Sequence, residues 1–268
     1  MTTWCNGSFV EQLTLAVNER GLMLGDGIFE TIAVRVGKPI WLEPHLQRLQ
    51  SAAGELGISC DMTTIKTALA TVLQKSSAPS EVLRITLTRG PTPRGLAADG
   101  HQPSLVISLS AFDLGNLPKS VRLATSKVRR NVTAPSSRLK TLSYIDAIAA
   151  AREVADGADD ALMLNTNDHV ASTTIANIFL LMGETLVTPA DDQGLLKGIA
   201  RATLLANAKE LGLHAKARIV KPDELHAADA VFLTNSLRLA THVSSIDGKT
   251  CGTRDISFIN AFFERNMS

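Results

Sequence analysis

The feature that most constrains the fold of this chain is DLGNLPKS, a polar stretch with glycine and proline at residues 113–120. On both sides of it, short runs rich in apolar and β-branched residues alternate with longer segments whose apolar residues recur at helical spacing. A break between two such mixed patterns indicates a linker between two compact lobes. We therefore predict an α+β fold with a smaller domain over residues 1–115, a linker over 116–120 and a larger domain over 121–268.

Strand and helix signals alternate within each lobe. The predicted strands and hairpins cover residues 8–12, 27–43, 81–90, 103–112, 121–128, 160–172, 177–189 and 229–249. The predicted helices cover residues 43–58, 63–77, 141–158, 198–213 and 256–268. Pro44 and Gly57 mark the start and end of the first helix, and a Gly/Pro-rich loop over residues 90–103 separates two strands.

Composition argues against several classes of function. The 268 residues carry a formal net charge of +1, so no overall field favours nucleic acid or an anionic membrane. Aromatic residues make up 4% of the chain, which argues against a base-stacking platform. The three cysteines lack metal-ligand spacing, and we expect neither a metal site nor a disulfide framework. Because we see no signal peptide and no apolar run of membrane-spanning length, we predict a cytoplasmic protein without a membrane partner.

Lys140, in the segment SSRLKTLSY, is the first candidate for catalysis. A lysine that forms a Schiff base needs a site in which its neutral form is accessible, through desolvation or nearby positive charge. Arg138, two residues earlier, is compatible with such a site. On these residues alone, a solvated lysine at a helix end is the commoner case, and both interpretations stay open.

Two segments are candidates for binding an anion. LLKGIARATLL places Gly198, Ile199 and Ala200 at a predicted helix start, where free backbone N–H groups bind anions. The loop LTNSLR adds hydroxyl groups at Thr234 and Ser236. Neither segment matches a Walker A loop or a dinucleotide-binding fingerprint.

Three arginines are candidates for charge-assisted contacts. Arg48, on the first helix, could bind the same anion, and Arg89 or Arg94, in the loop LTRGPTPRGL, could grip a substrate carboxylate. For each of them a solvated surface position is the plainer interpretation. We interpret His45 and His242 as structural.

Taken in order, these segments resemble the fold-type IV pyridoxal-phosphate enzymes, the class IV aminotransferase family. That family includes aminodeoxychorismate lyase, branched-chain aminotransferases and D-amino acid aminotransferases. The resemblance is carried by RGLMLGDGIFET (20–31), HLQRL (45–49), TRGPTPRG (88–95), RLKTLSY (138–144), DDALMLN (159–165), ANIF (176–179), LLKGIAR (195–201) and VFLTNS (231–236). Because the ordered set spans nearly the whole chain, it favours the Schiff-base interpretation of Lys140.

The resemblance implies a two-domain fold, a homodimer and pyridoxal 5′-phosphate bound between the domains, with an amino-acid-like small molecule as substrate. Lys140 is the implied catalytic residue, which holds the cofactor as a Schiff base and then moves protons as general base and acid. Arg48, the backbone N–H groups of Ile199 and Ala200 and the Ser236 hydroxyl are implied to bind the phosphate.

Other positions follow from the same resemblance. Leu196 is implied to pack against the pyridine ring. The remaining implied cofactor contacts are Ser172, Asn177, Gly198, Thr234 and Asn235. The implied residues on the substrate side are Phe29, Arg94 and Leu237, with Arg94 as the carboxylate clamp.

One position departs from the family pattern. A glutamate that pairs with the pyridine nitrogen usually lies five residues before the asparagine of the Asn-Ile/Leu-Phe segment, and here that position is Ser172. Asp168, the closest preceding carboxylate, is four residues out of register. A carboxylate stabilises the protonated nitrogen by roughly 1.5–3 kcal/mol. A serine hydroxyl carries no charge, so the ring becomes a weaker electron sink.

This departure favours one reaction over another. A weaker electron sink slows the 1,3-proton shift of transamination more than it slows an elimination that ends in an aromatic ring. We therefore favour 4-amino-4-deoxychorismate lyase, which releases pyruvate and 4-aminobenzoate. The alternatives are an aminotransferase of branched-chain or D-amino acids, whose carboxylate loop the segment RGPTPRG resembles, and a cofactor-binding protein with weakened catalysis.

Overall fold

The computed structural model describes residues 1–97, 102–113, 115–154 and 156–267. Parts of four predicted segments lie outside the described residues, namely 98–101 of the loop, Leu114 of the linker stretch, Ala155 of the third helix and Ser268 of the last helix. Within the described part of the chain, no helix is long and apolar enough to cross a membrane. Within the same residues, no group of three or more His, Cys, Asp or Glu side chains could hold a metal ion.

Strands and helices alternate along the chain. The strands are β1 (Thr2–Cys5), β2 (Ser8–Val10), β3 (Gly27–Arg35), β4 (Lys38–Pro39), β5 (Ser80–Thr88), β6 (Ser104–Ala111), β7 (Ser120–Thr125), β8 (Asp160–Leu164), β9 (Val170–Thr173), β10 (Asn177–Met182), β11 (Thr185–Pro189), β12 (His214–Arg218), β13 (Ala230–Asn235), β14 (Leu239–Ile246) and β15 (Lys249–Thr250). The helices are α1 (Arg20–Leu24), α2 (Leu42–Leu56), α3 (Met62–Leu73), α4 (Pro135–Arg138), α5 (Ile145–Val154), α6 (Ile199–Asn207), α7 (Glu224–Ala227) and α8 (Ser257–Arg265). A 3₁₀ turn over Ala208–Leu211 follows α6.

Contacts group the chain into two compact units. The first comprises Met1–Asn116 together with Leu139–Ser143, and the second comprises Leu117–Arg138 and Tyr144–Ser268. The segment Leu139–Ser143 joins the first unit because its backbone pairs with β3. The Phe29 amide donates to the Lys140 carbonyl at 2.9 Å, and the Leu142 amide donates to the Gly27 carbonyl at 2.9 Å. The predicted boundaries at residues 115 and 121 remain a prediction.

The first unit contains a six-stranded sheet in the order β2-β1-β6-β5-β3-β4, with antiparallel neighbours throughout. The predicted hairpin over residues 27–43 is confirmed as β3 and β4, although β4 is only two residues long. Val36 and Gly37 both have positive φ, 48° and 74°, as a two-residue hairpin turn requires. The turn fixes the register of β3 against β4, and the register of Phe29 and Glu30 is set by the pairing of β3 with β5.

Helices α2 and α3 contribute their apolar faces to the core of the first unit. Leu46 and Leu49 of α2 and Ile65 and Leu69 of α3 join the apolar side chains of the sheet in one buried cluster. Burial of each such side chain contributes about 1.5–3 kcal/mol. The predicted end of α2 is confirmed, since Gly57 adopts the left-handed conformation that closes the helix.

The second unit contains a nine-stranded sheet. Its order is β12-β11-β10-β13-β14-β7-β8-β9, with β15 paired to β14. The pairs β11–β12, β7–β14 and β7–β8 are parallel, and the other pairs are antiparallel. Strands such as β10 and β13 are buried along most of their length, which explains why their sequences are continuous apolar runs.

The predicted mixed α and β class is confirmed, with local differences. The helices α1, α4 and α7 were not predicted, because four or five residues are too few to show a helical period. The helix predicted over residues 141–158 begins only at Ile145, because Leu139–Ser143 pairs with β3 instead. Strand β1 was not predicted, since its four residues are too few for a periodic signal. Strand β12 was not predicted because its side chains are mostly exposed, and HAKAR therefore shows no buried pattern.

Candidate functional site

Lys140 lies beside β3 in the first unit. Its Nζ atom is 4.3 Å from the centroid of the Phe29 ring. The guanidinium carbon of Arg84 is 3.8 Å from the same centroid. Phe29 is 7% exposed, so the aromatic ring holds two cationic groups at a largely buried position. Lys140 and Arg84 therefore contact the same ring, and nearby positive charge is one of the two alternative ways to make the neutral form of a lysine accessible.

The buried carboxylate of Glu30, the residue after Phe29, binds two side chains of helix α2. Glu30 accepts hydrogen bonds from Arg48 Nε at 2.8 Å and Arg48 Nη2 at 2.6 Å. Its Oε2 atom is also 2.7 Å from Nδ1 of His45. His45 and Arg48 are three residues apart on α2 and therefore share one face of the helix. Glu30 thus fixes the Arg48 guanidinium as a bidentate pair.

The same contacts shift the pKa values of Glu30 and His45. Burial alone would raise the pKa of the Glu30 carboxyl, but the bonds from Arg48 and His45 outweigh it and lower the pKa. Burial lowers the pKa of His45, with Arg48 and Lys140 adding to that effect and Glu30 opposing it. A neutral His45 that donates from Nδ1 leaves Nε2 as an acceptor. Among the described residues, His45 Nε2 and Thr141 Oγ1 are buried without a hydrogen-bond partner.

In the second unit, no side chain among the described residues caps the first backbone N–H groups of helix α6. Its N-cap is Gly198, which has no side chain to accept the first N–H groups. A Cβ atom on Gly198 would lie 2.1 Å from Oδ1 of Asn177. Asn177 donates from Nδ2 to the Leu196 carbonyl at 2.8 Å, which fixes the segment that leads into the helix. Glycine at position 198 therefore lets Asn177 and the helix start approach each other.

Strand β13 ends beside the same asparagine, because Asn177 pairs with Thr234 in the β10–β13 register. Thr234 is 1% exposed, and its Oγ1 atom has no hydrogen-bond partner among the described residues. Asn235 closes the following turn by accepting from the Leu237 amide at 3.0 Å and from the Arg238 amide at 2.7 Å. Ser236 and Leu237 are half-buried in that turn.

Ser172 lies on β9 and is 3% exposed. It pairs with Met163 of β8, so both side chains lie on the same face of the sheet. The hydroxyl donates to the Thr173 carbonyl at 2.9 Å, which leaves its lone pairs as acceptors. The side chain at this position is therefore buried and uncharged.

Neither aspartate near Ser172 in sequence replaces the carboxylate. Asp168 lies in the turn between β8 and β9, with φ of 56°. Its side chain is 77% exposed and pairs with Arg129 at 3.0 Å. Asp160 accepts from the Thr174 hydroxyl. It is three residues from Met163 on β8, which places it on the opposite face of the sheet.

The structure brings the predicted residues together in two groups, one in each unit. The first group is Phe29, Arg48 and Lys140. The second group is formed around the start of α6 and the end of β13 by Asn177, Leu196, Gly198, Ile199, Ala200, Thr234, Asn235, Ser236 and Leu237. Ser172 lies on β9 of the second unit, and Arg94 is exposed on its loop in the first unit.

No sequence signal pointed to Glu30 or Arg84, and His45, interpreted as structural, contacts the same Glu30 carboxylate. The three-residue spacing of His45 and Arg48 on a predicted helix is the one signal that pointed to a shared face. No periodicity relates that helix to Glu30 or Arg84 on the strands. Their contacts depend on how α2 packs and on the β3–β5 register.

The residues present suit pyridoxal 5′-phosphate. A phosphate needs hydrogen-bond donors, and α6 offers free N–H groups while Thr234 offers a buried hydroxyl without a partner. An aldehyde needs an amine, and Lys140 lies on the Phe29 ring. The orphaned Thr234 hydroxyl is the more telling of these observations, because a buried polar group without a partner is costly.

Comparison with known proteins agrees with this chemistry. The profile of the family described as amino-transferase class IV matches residues 27–246. Aminodeoxychorismate lyase of Bacillus subtilis is 28% identical over 244 residues, which cover 87% of this chain and 83% of that protein. Branched-chain-amino-acid aminotransferase of Pseudomonas aeruginosa is 27% identical over 264 residues, which cover 93% and 86%.

Solved structures give the same result. The crystal structure of 4-amino-4-deoxychorismate lyase from Pseudomonas aeruginosa superposes with a TM-score of 0.88 at 29% identity, covering 99% of each chain. The predicted fold-type IV architecture is therefore confirmed. The chain belongs to the class IV aminotransferase family, a family of pyridoxal-phosphate-dependent aminotransferases and lyases.

Proposed function

We propose that this enzyme is a 4-amino-4-deoxychorismate lyase that releases pyruvate and 4-aminobenzoate. The observation that carries the proposal is Ser172, a buried and uncharged residue at the position where a carboxylate is expected. The cofactor supplies an electron sink for the bond that breaks, and a protonated ring nitrogen strengthens that sink. Ser172 has no charge with which to keep the nitrogen protonated.

The consequence differs between the two reactions of the family. Transamination moves a proton between two carbons and depends on the sink throughout. Elimination of pyruvate leaves an aromatic ring, and aromatisation supplies driving force that the protein does not have to provide. A chain with serine at position 172 therefore suits the elimination better than the transfer.

The other residues of the site are proposed to hold the cofactor and to move a proton. Lys140 would hold the cofactor aldehyde through Nζ, and the same amine would move the proton that the reaction displaces. Arg48, oriented by Glu30, would bind the phosphate, and the N–H groups at the start of α6 with the Thr234 and Ser236 hydroxyls would be its further donors. Asn177, Gly198 and Asn235 hold the backbone of this cradle, and Leu196 would pack against the ring of the cofactor.

The substrate side involves three residues. Phe29 supports Lys140 and lines the site, Leu237 adds apolar surface, and Arg94 binds a carboxylate. We further propose that the enzyme works as a cytoplasmic homodimer. Light scattering on the purified protein tests the dimer, and a mass equal to one chain would exclude it.

The proposal is tested by incubating the purified protein with 4-amino-4-deoxychorismate and assaying pyruvate and 4-aminobenzoate. Equal amounts of both products support the lyase. The absence of both products, together with transfer of an amino group to 2-oxoglutarate or pyruvate, would overturn it. Lys140→Ala is the matched control, since it removes the amine and must abolish either reaction.

An aminotransferase of branched-chain or D-amino acids is the second candidate. It is supported by the relative named branched-chain-amino-acid aminotransferase and by the arginine-bearing loop that carries Arg94. A panel of L-leucine, L-valine and D-alanine with 2-oxoglutarate separates it from the lyase. A yellow protein in which borohydride fixes cofactor on Lys140, with no turnover of any substrate, would instead indicate a cofactor-binding protein with weakened catalysis.

A further inference from the structure

The loop over residues 90–97, here called the Arg94 loop, is anchored by polar contacts that the cofactor chemistry does not use. Its first residues pair with residues 18–20 almost as a strand would. The Arg20 amide donates to the Gly90 carbonyl at 3.2 Å, and the Thr92 amide donates to the Asn18 carbonyl at 3.4 Å. The Asn18 side chain returns a bond to the Thr92 carbonyl at 2.9 Å.

The side chain of Arg20 extends this anchoring towards the far end of the Arg94 loop. Arg20 is 6% exposed. Its Nη1 donates to the Gly95 carbonyl at 2.7 Å, and its Nη2 donates to the Leu96 carbonyl at 2.9 Å. Nη1 is also 3.5 Å from the Thr92 hydroxyl oxygen. One guanidinium therefore contacts the loop on both sides of Arg94.

Asp26 holds that guanidinium in place. Its Oδ2 atom accepts from Arg20 Nε at 2.7 Å and from Arg89 Nε at 2.8 Å. Arg89 in turn donates to the carbonyls of Gly57 and Leu56 at the end of α2, at 2.8 and 2.7 Å. The two arginines thus tie the Arg94 loop to the end of a packed helix through one carboxylate.

The lowered pKa of the Asp26 carboxyl is consistent with this role. Burial would raise the pKa of the Asp26 carboxyl, but the bonds from Arg89 and Arg20 outweigh it and lower the pKa. The carboxylate therefore stays charged and keeps both arginines paired throughout the neutral range.

These contacts fix the conformation of the Arg94 loop, and its exposed carbonyl groups do not need them as hydrogen-bond partners. Gly95 and Leu96 are exposed, so water would satisfy their carbonyl groups if Arg20 were absent. What Arg20 adds is a single loop conformation. Fixing a loop in its binding conformation before the substrate arrives lowers the entropy cost of binding.

We propose that Arg20, held by Asp26, is a positioning residue that sets the Arg94 loop for the substrate carboxylate. The inference rests on the proposed function in one respect, since it takes Arg94 to be the group that binds the carboxylate. It accounts for the arginine and the aspartate of RGLMLGDG, which the cofactor chemistry leaves without a role.

Arg20→Lys tests the proposal, because lysine keeps the charge but cannot bond two carbonyls and a carboxylate in one plane. Asn18→Ala is a milder second variant that removes one bond to the same loop. Arg122→Lys is the matched control, since Arg122 forms an exposed pair with Asp159 in the second unit. Each is prepared as the holoenzyme.

Two readouts separate positioning from folding. Hydrogen exchange of the peptide over residues 90–97 measures the loop directly and needs no turnover. Steady-state kinetics with 4-amino-4-deoxychorismate and with D-alanine measure binding of a carboxylate substrate, and cofactor affinity is measured by absorbance titration.

We expect Arg20→Lys to speed exchange at residues 90–97 and to raise KM about tenfold, while kcat and cofactor affinity change less than about twofold. Asn18→Ala should shift exchange and KM in the same direction by less, and Arg122→Lys should change neither. Unchanged exchange at residues 90–97 in Arg20→Lys would overturn the inference, as would equal losses of kcat and cofactor affinity. Arg94→Ala with an unchanged KM would instead reject Arg94 as the clamp, which is the part taken from the proposed function.

Discussion

Replacing Glu30 by glutamine tests the buried cluster that orients Arg48. The carboxylate is 1% exposed at its side chain and accepts two bonds from Arg48 in addition to its contact with His45. Glutamine keeps one acceptor but brings an NH₂ group against donors, and it leaves Arg48 without a counter-charge at a side chain that is 16% exposed. Removing one partner of a buried ion pair costs about 3–5 kcal/mol.

Because Arg48 keeps some access to water, we expect the lower end of that range. Glu30→Gln should lower the free energy of unfolding by about 3 kcal/mol at pH 7. Chemical denaturation followed by circular dichroism measures it. Glu43→Gln is the matched control, because Glu43 forms an exposed pair with Lys66 at 3.1 Å, and it should cost less than about 1 kcal/mol.

The pH dependence of the difference in unfolding free energy between wild type and Glu30→Gln gives a second check. The pKa of Glu30 is lowered in the folded protein, so the stability that it contributes is complete above the ordinary carboxyl pKa of about 4.3 and is lost as pH falls through the lowered value. The gap between wild type and Glu30→Gln should therefore be constant from pH 7 to 5 and shrink below about pH 4.3. A loss no larger than that of Glu43→Gln, or a gap that does not shrink in acid, would refute the reasoning.

Three further substitutions address the cofactor side. Ser172→Glu should accelerate amino-group transfer, because it restores a charge at the ring nitrogen; an unchanged rate with an unchanged cofactor spectrum would show that residue 172 lies elsewhere. Thr234→Val should weaken cofactor binding yet leave the apo-protein as stable or up to about 1 kcal/mol more stable, since it removes an unpartnered buried hydroxyl; a loss of stability would show that the hydroxyl is satisfied within the protein. Gly198→Ala should weaken cofactor binding at least about tenfold, because its Cβ atom would displace Asn177 from the Leu196 carbonyl; unchanged affinity in a titration would exclude the helix start as part of the cradle.

Local signals in the sequence predicted most elements because those signals are themselves local. Glycine at position 57 ends a helix through its own backbone freedom, and Val36–Gly37 forms a turn between two strand patterns. The start of α6 after Gly198 was likewise expected from its neighbours. The helix predicted over residues 141–158 begins only at Ile145, because the residues before it pair with a distant strand, and no local signal reveals that pairing.

In the candidate site, too, the sequence indicated residues but not the contacts between distant parts of the chain. The ordered motifs predicted Lys140, Arg48 and a phosphate cradle as parts of the site, and they showed a serine at position 172, where the family pattern has a carboxylate. They did not indicate that Glu30 would bind Arg48, or that Arg84 would lie on the Phe29 ring. Glu30 and Arg48 are 18 positions apart, and Phe29 and Arg84 are 55 positions apart. The spacing of side chains within one helix or strand carries no information about such contacts between elements.

By itself, then, the sequence determined the class of chemistry, because the residue types that a phosphate and an aldehyde require recur in a fixed order. Tertiary structure alone decided how those residues are held. Packing of α2 against β3 places Arg48 beside Glu30, and the return of Leu139–Ser143 to β3 places Lys140 on Phe29. The anchoring of the Arg94 loop by Arg20 and Asp26 is of the same kind, since a guanidinium reaches carbonyl groups 75 and 76 residues away only in the folded chain.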